Sequence, residues 1–344
     1  MTRVLTIGGD VPRQFVLAAG ATPERLVADG SSVDDDSRAR ARDLLGEVDG
    51  AAIEILGRML ERIAARELDD VPLIVVSHDG QASLRVFYVL RMLVRTGALT
   101  VPVHLLDLQR LPGPAVAEFN RRQLETLGEH LRSACGARLD DDAQSRAARS
   151  ELDLGDALAA LRIRRREDPG VIPAAEIARL RSIARRTPPE DAAAEIRAAA
   201  SIAAPHAADR GRWLVVLTGS SVADPAVLSA LERGGATIVG DDHDTGDAEW
   251  IGRAAYPSDE PSSVITALVD DFARRSPSVG FGSIADRSAS IARLARECRA
   301  DTVLSLARVG DEGPQWDAHA QRAAVEAEGR TFIGPVAPDA VGAA

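Results

Sequence analysis

Four apolar segments of strand length recur in the C-terminal part of the chain, and helical patterns separate them. The segments are WLVVLTG (213–219), ATIVGDD (236–242), DTVLSLAR (301–308) and RTFIGP (330–335). Continuous apolar runs that alternate with helices are typical of parallel strands buried on both faces. Because such crossovers are almost always right-handed, the pattern predicts a doubly wound sheet.

The first part of the chain repeats this pattern. Its strand-like segments are RVLTIGGD (3–10), VPLIVVSHDG (71–80) and VPVHLLDL (101–108), and a further short strand is possible after Gly20. Residues from 114 to about 203 are helical almost throughout. We therefore predict an α/β protein with two doubly wound, flavodoxin-like parallel-sheet domains and a helical connecting region. The predicted division is an N-terminal α/β domain over 1–140, the helical region over 141–205 and a C-terminal α/β domain over 206–344.

The charge of the chain excludes some classes of partner. The 344 residues carry a formal net charge of −11, which argues against nucleic acid and against anionic membranes. No apolar run approaches the ~20 residues of a membrane helix, and the N-terminus lacks the apolar core of a signal peptide. We therefore expect a cytoplasmic protein. All 41 basic residues are arginine, which excludes a Walker A lysine and a Schiff-base lysine.

Ligands of open parallel sheets bind at the carboxyl ends of the strands, so the loops found there are the candidate sites. These loops are SHDG (77–80), LTGSSVADP (217–225), GDDHDTG (240–246) and ARVGDEGPQWD (307–317). The second loop lacks the GxGxxG spacing of a dinucleotide site. Gly219 and Ser220 could offer backbone N–H groups to an anion. We favour a plain turn, in which Asp224 caps a helix that begins at Pro225.

The loop GDDHDTG (240–246), called the acidic loop below, also allows more than one interpretation. A divalent cation could bind to a set drawn from this loop and its neighbours: Asp241, Asp242, His243, Asp244, His78 and Asp311. No known ligand spacing is met, so we expect no metal. A nucleophilic triad built from Ser77 or Ser220 has no GxSxG motif to support it. Arginines that could bind phosphate are Arg85, Arg91, Arg287 and Arg308, although solvated positions are the favoured interpretation.

The order of five segments resembles the 2-hydroxyacyl-CoA dehydratase family, which includes the cluster-binding subunits of benzoyl-CoA reductase. Its most similar segment is LVVLTGSSVADPAVLSALERGGATIVGDDHDTG, where the family has Thr-Gly, Asp-Pro, a helix, Gly-Ala, a strand and Asp-Asp-x-Cys-Thr-Gly. The other four are VPRQFVLAAGATPERL, IVVSHDGQASLRVFYVLR, the segment from HLLDL to SACG, and the segment from DTVLSLAR to RTFI. The resemblance covers nearly the whole chain.

This resemblance implies a pair of α/β domains with one [4Fe–4S] cluster held by three cysteines from three loops. Here, His78, Asp244 and Gly310 stand at those positions. Iron–sulfur clusters need thiolates, and the only cysteines, Cys135 and Cys298, fall in helical patterns away from these loops. We therefore expect this chain to bind no cofactor, with a cluster only on a partner. Gly240 and Gly246 bracket the acidic loop, and we attribute them to a turn that other residues avoid.

The resemblance implies a subunit of a dehydratase or reductase complex that pairs with a cysteine-bearing paralogue as a heterodimer. The two subunits would form an acyl-CoA site at their interface. Substrate contacts in this chain would come from Gly219, Ser220, Ser221, Asp242 and Arg308. One alternative is an enzyme with a hard-metal or acid–base site built from His78, His243 and Asp244. Another is a module that binds CoA or a small molecule without catalysis.

Overall fold

The computed structural model describes residues 2–46, 48, 50–202, 213–258, 263–277 and 282–338. The first sheet has the order β2-β1-β3-β4 and the second β6-β5-β7-β8, and the paired strands within each sheet are parallel. The strands are β1 Arg3–Ile7, β2 Thr22–Leu26, β3 Ile74–Ser77, β4 Val103–Leu106, β5 Trp213–Gly219, β6 Ala236–Asp241, β7 Thr302–Leu306 and β8 Thr331–Val336. Helices flank both sheets, which confirms the predicted fold class.

Twelve helices are present among the described residues. They are α1 Arg13–Ala18, α2 Asp35–Leu45, α3 Gly50–Ala64, α4 Gln81–Arg95, α5 Pro114–Cys135, α6 Asp141–Glu167, α7 Ala174–Arg186, α8 Pro189–Ala200, α9 Pro225–Arg233, α10 Ser263–Ala273, α11 Ile284–Glu297 and α12 Gly313–Ala327. Local signals explain several of the helix starts. Asp224 caps α9 by accepting from the Ala226 N–H at 2.7 Å, as the sequence predicts. Within the described chain, no helix is both long and apolar enough to cross a membrane.

The hydrophobic cores follow the sheets, with one exchange between the two halves of the chain. Helix α10 follows β6 in the sequence, yet its Leu268 and Phe272 pack in one cluster with Val4 of β1 and Leu124 of α5. A helix from the C-terminal part of the chain therefore joins the hydrophobic core on one face of the first sheet. The predicted division into domains stays a prediction, and its boundary near 205 lies outside the described residues.

The glycines at the ends of the acidic loop lie where neighbouring side chains leave no room for a Cβ atom. Neither Gly240 nor Gly246 has a positive φ, so our expectation of a special backbone conformation is wrong. A Cβ on Gly240 would lie 2.8 Å from the Cys298 Sγ atom, and a Cβ on Gly246 would lie 1.7 Å from Asp241 Oδ1. Both positions therefore need glycine because a neighbouring side chain occupies the place of a Cβ.

Candidate functional site

A cleft of about 430 Å³ is lined by loops that follow strands of both sheets. Glycine and serine backbone from these loops forms part of its wall. The charged side chains among its described lining residues are four carboxylates and four arginines: Asp10, Asp79, Asp244, Asp311, Arg85, Arg110, Arg275 and Arg308. Helix α4 begins beside this cleft, so the positive end of its dipole is directed at the same space. The cleft therefore suits a ligand with anionic groups.

Several residues singled out from the sequence meet in this cleft. Asp244 and Gly310 both line it, and so do Gly219, Ser220, Ser221 and Arg308. His78 is not one of its lining residues. The Nδ1 atom of His78 lies 3.0 Å from Asp107 Oδ1, and the adjacent Asp79 lines the cleft. Two of the three predicted cluster positions, Asp244 and Gly310, therefore lie in the cleft. At the third position the cleft is lined by Asp79 instead of His78.

His243 is directed away from the cleft although Asp244, the next residue, lines it. The His243 side chain is buried, and its Nδ1 atom accepts from the Val222 N–H at 3.4 Å. Burial lowers its pKa, so the ring is neutral near pH 7. The His243 ring borders a separate small cavity beside Arg165 and Arg181. The candidates for an acid–base site, His78, His243 and Asp244, do not converge.

Arginines from helices α6 and α7 hold the acidic loop. Arg165 donates from Nη1 to Asp241 Oδ2 at 3.1 Å and from Nε to the Ile238 carbonyl at 3.0 Å. Arg181 donates to Asp247 Oδ1 at 2.5 Å. All four of these charged side chains are close to fully buried. Although burial opposes ionisation, Arg165 and Arg181 lower the pKa of Asp241. The loop that could have held a cation is held by guanidinium groups.

Glu249 joins this loop to both halves of the chain. Arg185 of α7 donates to Glu249 Oε1 at 2.8 Å and to Oε2 at 3.0 Å, and Arg25 at the end of β2 donates to Oε1 at 2.8 Å. The Glu249 and Arg185 side chains are each 3% exposed. Although burial acts in the opposite direction, the two arginines lower the pKa of Glu249. A fully buried carboxylate therefore stays ionised between two cations.

Arg25 also binds the residue at the predicted cluster position. Its Nη2 atom donates to Asp244 Oδ2 at 2.6 Å, and its Nη1 atom donates to the Asp244 carbonyl at 2.8 Å. The Ser221 hydroxyl donates to the other oxygen of the Asp244 carboxylate. Burial disfavours the charged form of Asp244, but Arg25 and Ser221 lower its pKa. Asp244 therefore connects the first sheet to the loop after β5, and both of its carboxylate oxygens have partners in the protein.

Asp10, in the loop after β1, holds two of the arginines that line the cleft. It is 1% exposed, and it accepts from Arg110 Nη2 at 2.5 Å and from Arg275 Nη1. The Arg275 guanidinium also stacks over the rings of Trp250 and Phe272, with its Cζ atom 5.7 and 5.6 Å from the ring centroids. One buried carboxylate thus fixes two guanidinium groups at the cleft surface, in the fixed geometry that favours phosphate or carboxylate ligands.

The loops after β5 and β7 are bonded to each other at the cleft floor. Ser220 Oγ donates to Asp311 Oδ2 at 2.6 Å and accepts from the Arg308 N–H at 2.9 Å. The Arg308 guanidinium donates to the Ser221 carbonyl. Gly219 has a φ of 87°, and a Cβ there would lie 2.2 Å from the Leu306 carbonyl oxygen. The close approach of these two strands therefore requires glycine at this position.

Asp242 does not line the cleft, and it is buried beside β5. Its Oδ2 atom accepts from Thr218 Oγ1 at 2.9 Å, while Oδ1 has no hydrogen-bond partner among the described residues. Burial, together with the charges of Asp241 and Asp317, raises its pKa to about 7. The predicted role of Asp242 in substrate contact has no support from this position, which is internal to the second half of the chain.

Asp242→Asn is expected to stabilise the protein at alkaline pH. Because the native pKa of Asp242 lies above its ordinary value of 3.8, its contribution to stability is complete below about pH 4 and is lost as the pH rises towards 7. At pH 8 the variant should be more stable than the wild type by about 1 kcal/mol or more, and near pH 4 the two should be equal. Urea unfolding at both pH values measures this. An equal or lower stability of the variant at pH 8 contradicts it.

A comparison with protein-family models covers nearly the whole chain. Residues 9–334 match the model described as 2-hydroxyglutaryl-CoA dehydratase, D-component. The chain belongs to this family. The resemblance read from the sequence is therefore confirmed, and no curated protein matches the chain. The dehydratase-family match includes every loop that lines the cleft, from Gly9 to Asp311.

The residues of this dehydratase-family chain do not fit an iron–sulfur cluster. The cleft is lined by carboxylates, hydroxyls and guanidinium groups, and its described lining includes no thiol. Cys135 ends α5 and is half-buried, while Cys298 is buried against Gly240, where burial raises its pKa to about 11. Across the described ranges, no three His, Cys, Asp or Glu side chains form a group that could hold a metal ion. Carboxylates of the cleft, such as Asp10 and Asp244, are paired with arginine side chains instead.

Other cleft residues were missed at the level of sequence. Asp79 lies in the candidate loop at 77–80 but was given no role, and Asp10 lies in the loop after β1, where the rule that ligands bind at strand ends could have found it. Arg110 also follows a strand, β4. Arg275 lies after α10 and carries no local signal, because only the packing of that helix on the first sheet brings it to the cleft. Of the arginines proposed for phosphate, Arg85 and Arg308 line the cleft, whereas Arg287 pairs with Asp317.

Proposed function

We propose that this chain is a component of a 2-hydroxyacyl-CoA dehydratase-type complex that binds an acyl-CoA in its cleft and carries no iron–sulfur cluster itself. A cysteine-bearing partner subunit, paired with it as a heterodimer in the cytoplasm, supplies the cluster. One observation carries the proposal: the cleft contains Asp244 and Gly310, at predicted cluster positions, together with arginines, and no thiol among its described residues. A reductase of the benzoyl-CoA type is compatible with the same site.

The chain's own residues would bind and orient the CoA part. Arg110 and Arg275, fixed by Asp10, present guanidinium groups suited to phosphate oxygens. The first turn of α4 adds backbone N–H groups, since Gly80, Gln81 and Ala82 border the cleft. Asp79 also lines the cleft, and burial together with the charges of Asp10 and Asp244 raises its pKa. That carboxyl is a suitable group to hold a proton near a bound thioester.

The partner is tested by affinity purification of the full chain from its native cell, followed by iron and acid-labile sulfide assays. We expect a second, cysteine-bearing subunit to co-purify with iron and sulfide. The same chain produced alone and incubated anaerobically with iron and sulfide should bind neither. Stoichiometric iron and sulfide on the chain alone would contradict a cluster-free subunit. Absence of any co-purifying subunit would contradict the complex.

Arg275→Gln should weaken CoA binding by about tenfold, because a guanidinium directed at phosphate is replaced by a neutral amide. Calorimetric titration of the purified complex with CoA measures the change. Arg274→Gln is the matched control, since Arg274 is the preceding residue, is exposed and does not line the cleft. Equal affinities of the two variants for CoA would place the phosphates elsewhere.

A further inference from the structure

A second compartment lies beside the cleft and has a different chemical character. It has a volume of about 140 Å³ and lies between the ends of β1 and β2 and the helices α3 and α4. It shares Asp79, Ser83, Ser221, Asp244 and Arg308 with the main cleft. The two spaces are therefore adjacent, and the carboxylates of Asp79 and Asp244 border both of them.

Apart from the residues shared with the cleft, most of the wall of the compartment is aliphatic, and Arg25 and Thr245 are its polar side chains. The aliphatic residues are Ile7, Leu26, Val27, Ala28, Ala52, Ile55 and Val86. Most of these side chains belong to the hydrophobic core of the first sheet, and Ile7 and Val86 are each 1% exposed. An aliphatic group that enters this space would displace water from the aliphatic side chains, and the burial of apolar surface is favourable by ~25 cal/mol per Å².

The arginines at the edge of the compartment are engaged by the protein itself. Arg25 donates to Asp244 and Glu249, and Arg308 donates to the Ser221 carbonyl. A carboxylate placed deep in the compartment would lose its hydration among aliphatic side chains and would lie close to the ionised Asp244. Such a transfer is unfavourable, because a buried charge needs a partner.

We infer that the acyl group bound by this chain is a short hydrocarbon chain, and that the compartment excludes acyl groups with a second carboxylate. This inference rests on the proposed function, because it assigns the CoA part to the arginine-lined cleft. It differs from the dicarboxylic 2-hydroxyglutaryl group in the description of the family. The compartment's volume of about 140 Å³ is close to the roughly 150 Å³ of an apolar cavity that holds the six carbons of benzene, which suits an acyl chain of about six carbons.

The test uses the full chain together with the subunit that co-purifies with it. Calorimetric titrations compare CoA, butyryl-CoA, hexanoyl-CoA, octanoyl-CoA and glutaryl-CoA. We expect hexanoyl-CoA to bind at least about tenfold more tightly than CoA, and glutaryl-CoA to bind no more tightly than CoA. If CoA and all the thioesters fail to bind, the proposed function is wrong. If CoA binds and glutaryl-CoA binds as tightly as hexanoyl-CoA or more tightly, the proposed function stands and only the inference about the acyl group is wrong.

Variants assign the preference to this chain instead of its partner. Ile55→Ala enlarges the compartment, so the optimum should move from hexanoyl-CoA towards octanoyl-CoA. Ala28→Phe fills it, so the preference for hexanoyl-CoA over CoA should disappear while affinity for CoA is kept. Ile53→Ala is the matched control, since Ile53 lies on the same helix, is half-buried and does not line the compartment. Unchanged chain-length preference in both Ile55→Ala and Ala28→Phe, with normal CoA binding, overturns the inference.

Discussion

Glu249→Ala is expected to lower the free energy of unfolding by about 3–5 kcal/mol, because removal of one partner from a buried ion pair leaves the other charge unpaired. Glu249 is bonded by Arg185 through both carboxylate oxygens and by Arg25 through one of them. The variant leaves Arg185, which is 3% exposed along its side chain, without its carboxylate. Urea unfolding monitored by circular dichroism measures the loss.

An exposed ion pair provides the control for this variant. Glu195 pairs with Arg179 at 2.7 Å, but both side chains are more than 40% exposed. Glu195→Ala should therefore change stability by less than about 1 kcal/mol. Asp244→Ala should have an intermediate effect, since Arg25 keeps Glu249 as a partner and the Asp244 side chain is 40% exposed. A loss below about 1 kcal/mol for Glu249→Ala would contradict a structural role for this network.

The same network predicts a loss of stability in acid. Burial acts in the opposite direction, but the paired arginines lower the pKa values of Asp241, Asp244 and Glu249. A carboxylate with a lowered native pKa contributes its stability above the unfolded pKa, near 4, and the contribution is lost as the pH falls through the native pKa. The free energy of unfolding of the wild type should therefore be lower below pH 4 than at pH 7. The difference in this free energy between the wild type and Glu249→Ala should also be smaller below pH 4.

Gly155→Val is expected to cost about 3 kcal/mol, because it forces a side chain into a backbone contact. Gly155 lies in α6, and a Cβ there would lie 2.3 Å from the Gly252 carbonyl oxygen. Gly252 has a φ of 71° and donates its N–H to Glu151 Oε1 at 2.8 Å. The helix and the segment after the acidic loop are therefore in direct contact through two glycines. Thermal unfolding followed by circular dichroism measures the cost.

Gly128→Val is the matched control for this substitution. Gly128 is also helical, in α5, but among the described residues its Cβ would meet only Leu139 Cδ1, at an ordinary contact distance of 3.5 Å. Both substitutions introduce the same β-branched residue into a helix, so the backbone cost is shared. The difference between the two variants isolates the contact with Gly252. Equal melting temperatures would show that α6 and this segment separate at little cost.

The candidate site was only partly visible from the sequence. The rule that ligands bind at the ends of parallel strands located the loops at 77–80, 217–225, 240–246 and 307–317, and residues of each line the cleft. The chemical role of the acidic loop was not visible. Three of its carboxylates are compatible with a metal site in the sequence, yet in the structure Asp241 and Asp244 bind Arg165 and Arg25. The third, Asp242, is internal and bonds Thr218.

The sequence by itself determined the α/β fold and the family. Strands buried on both faces leave continuous apolar runs, and helices leave a 3.6-residue period, so both signals are local and can be read along one chain. Glycine and proline at the helix ends are equally local.

Tertiary structure alone decided which charges meet. Arg25 and Asp244 are separated by 219 residues, and Arg275 and Asp10 by 265. Nothing near an arginine in the sequence specifies its carboxylate, because an ion pair depends on the position of two side chains in space. The packing of α10 on the first sheet and the apolar compartment beside the cleft were hidden for the same reason: each is built from segments that only the folded chain brings together.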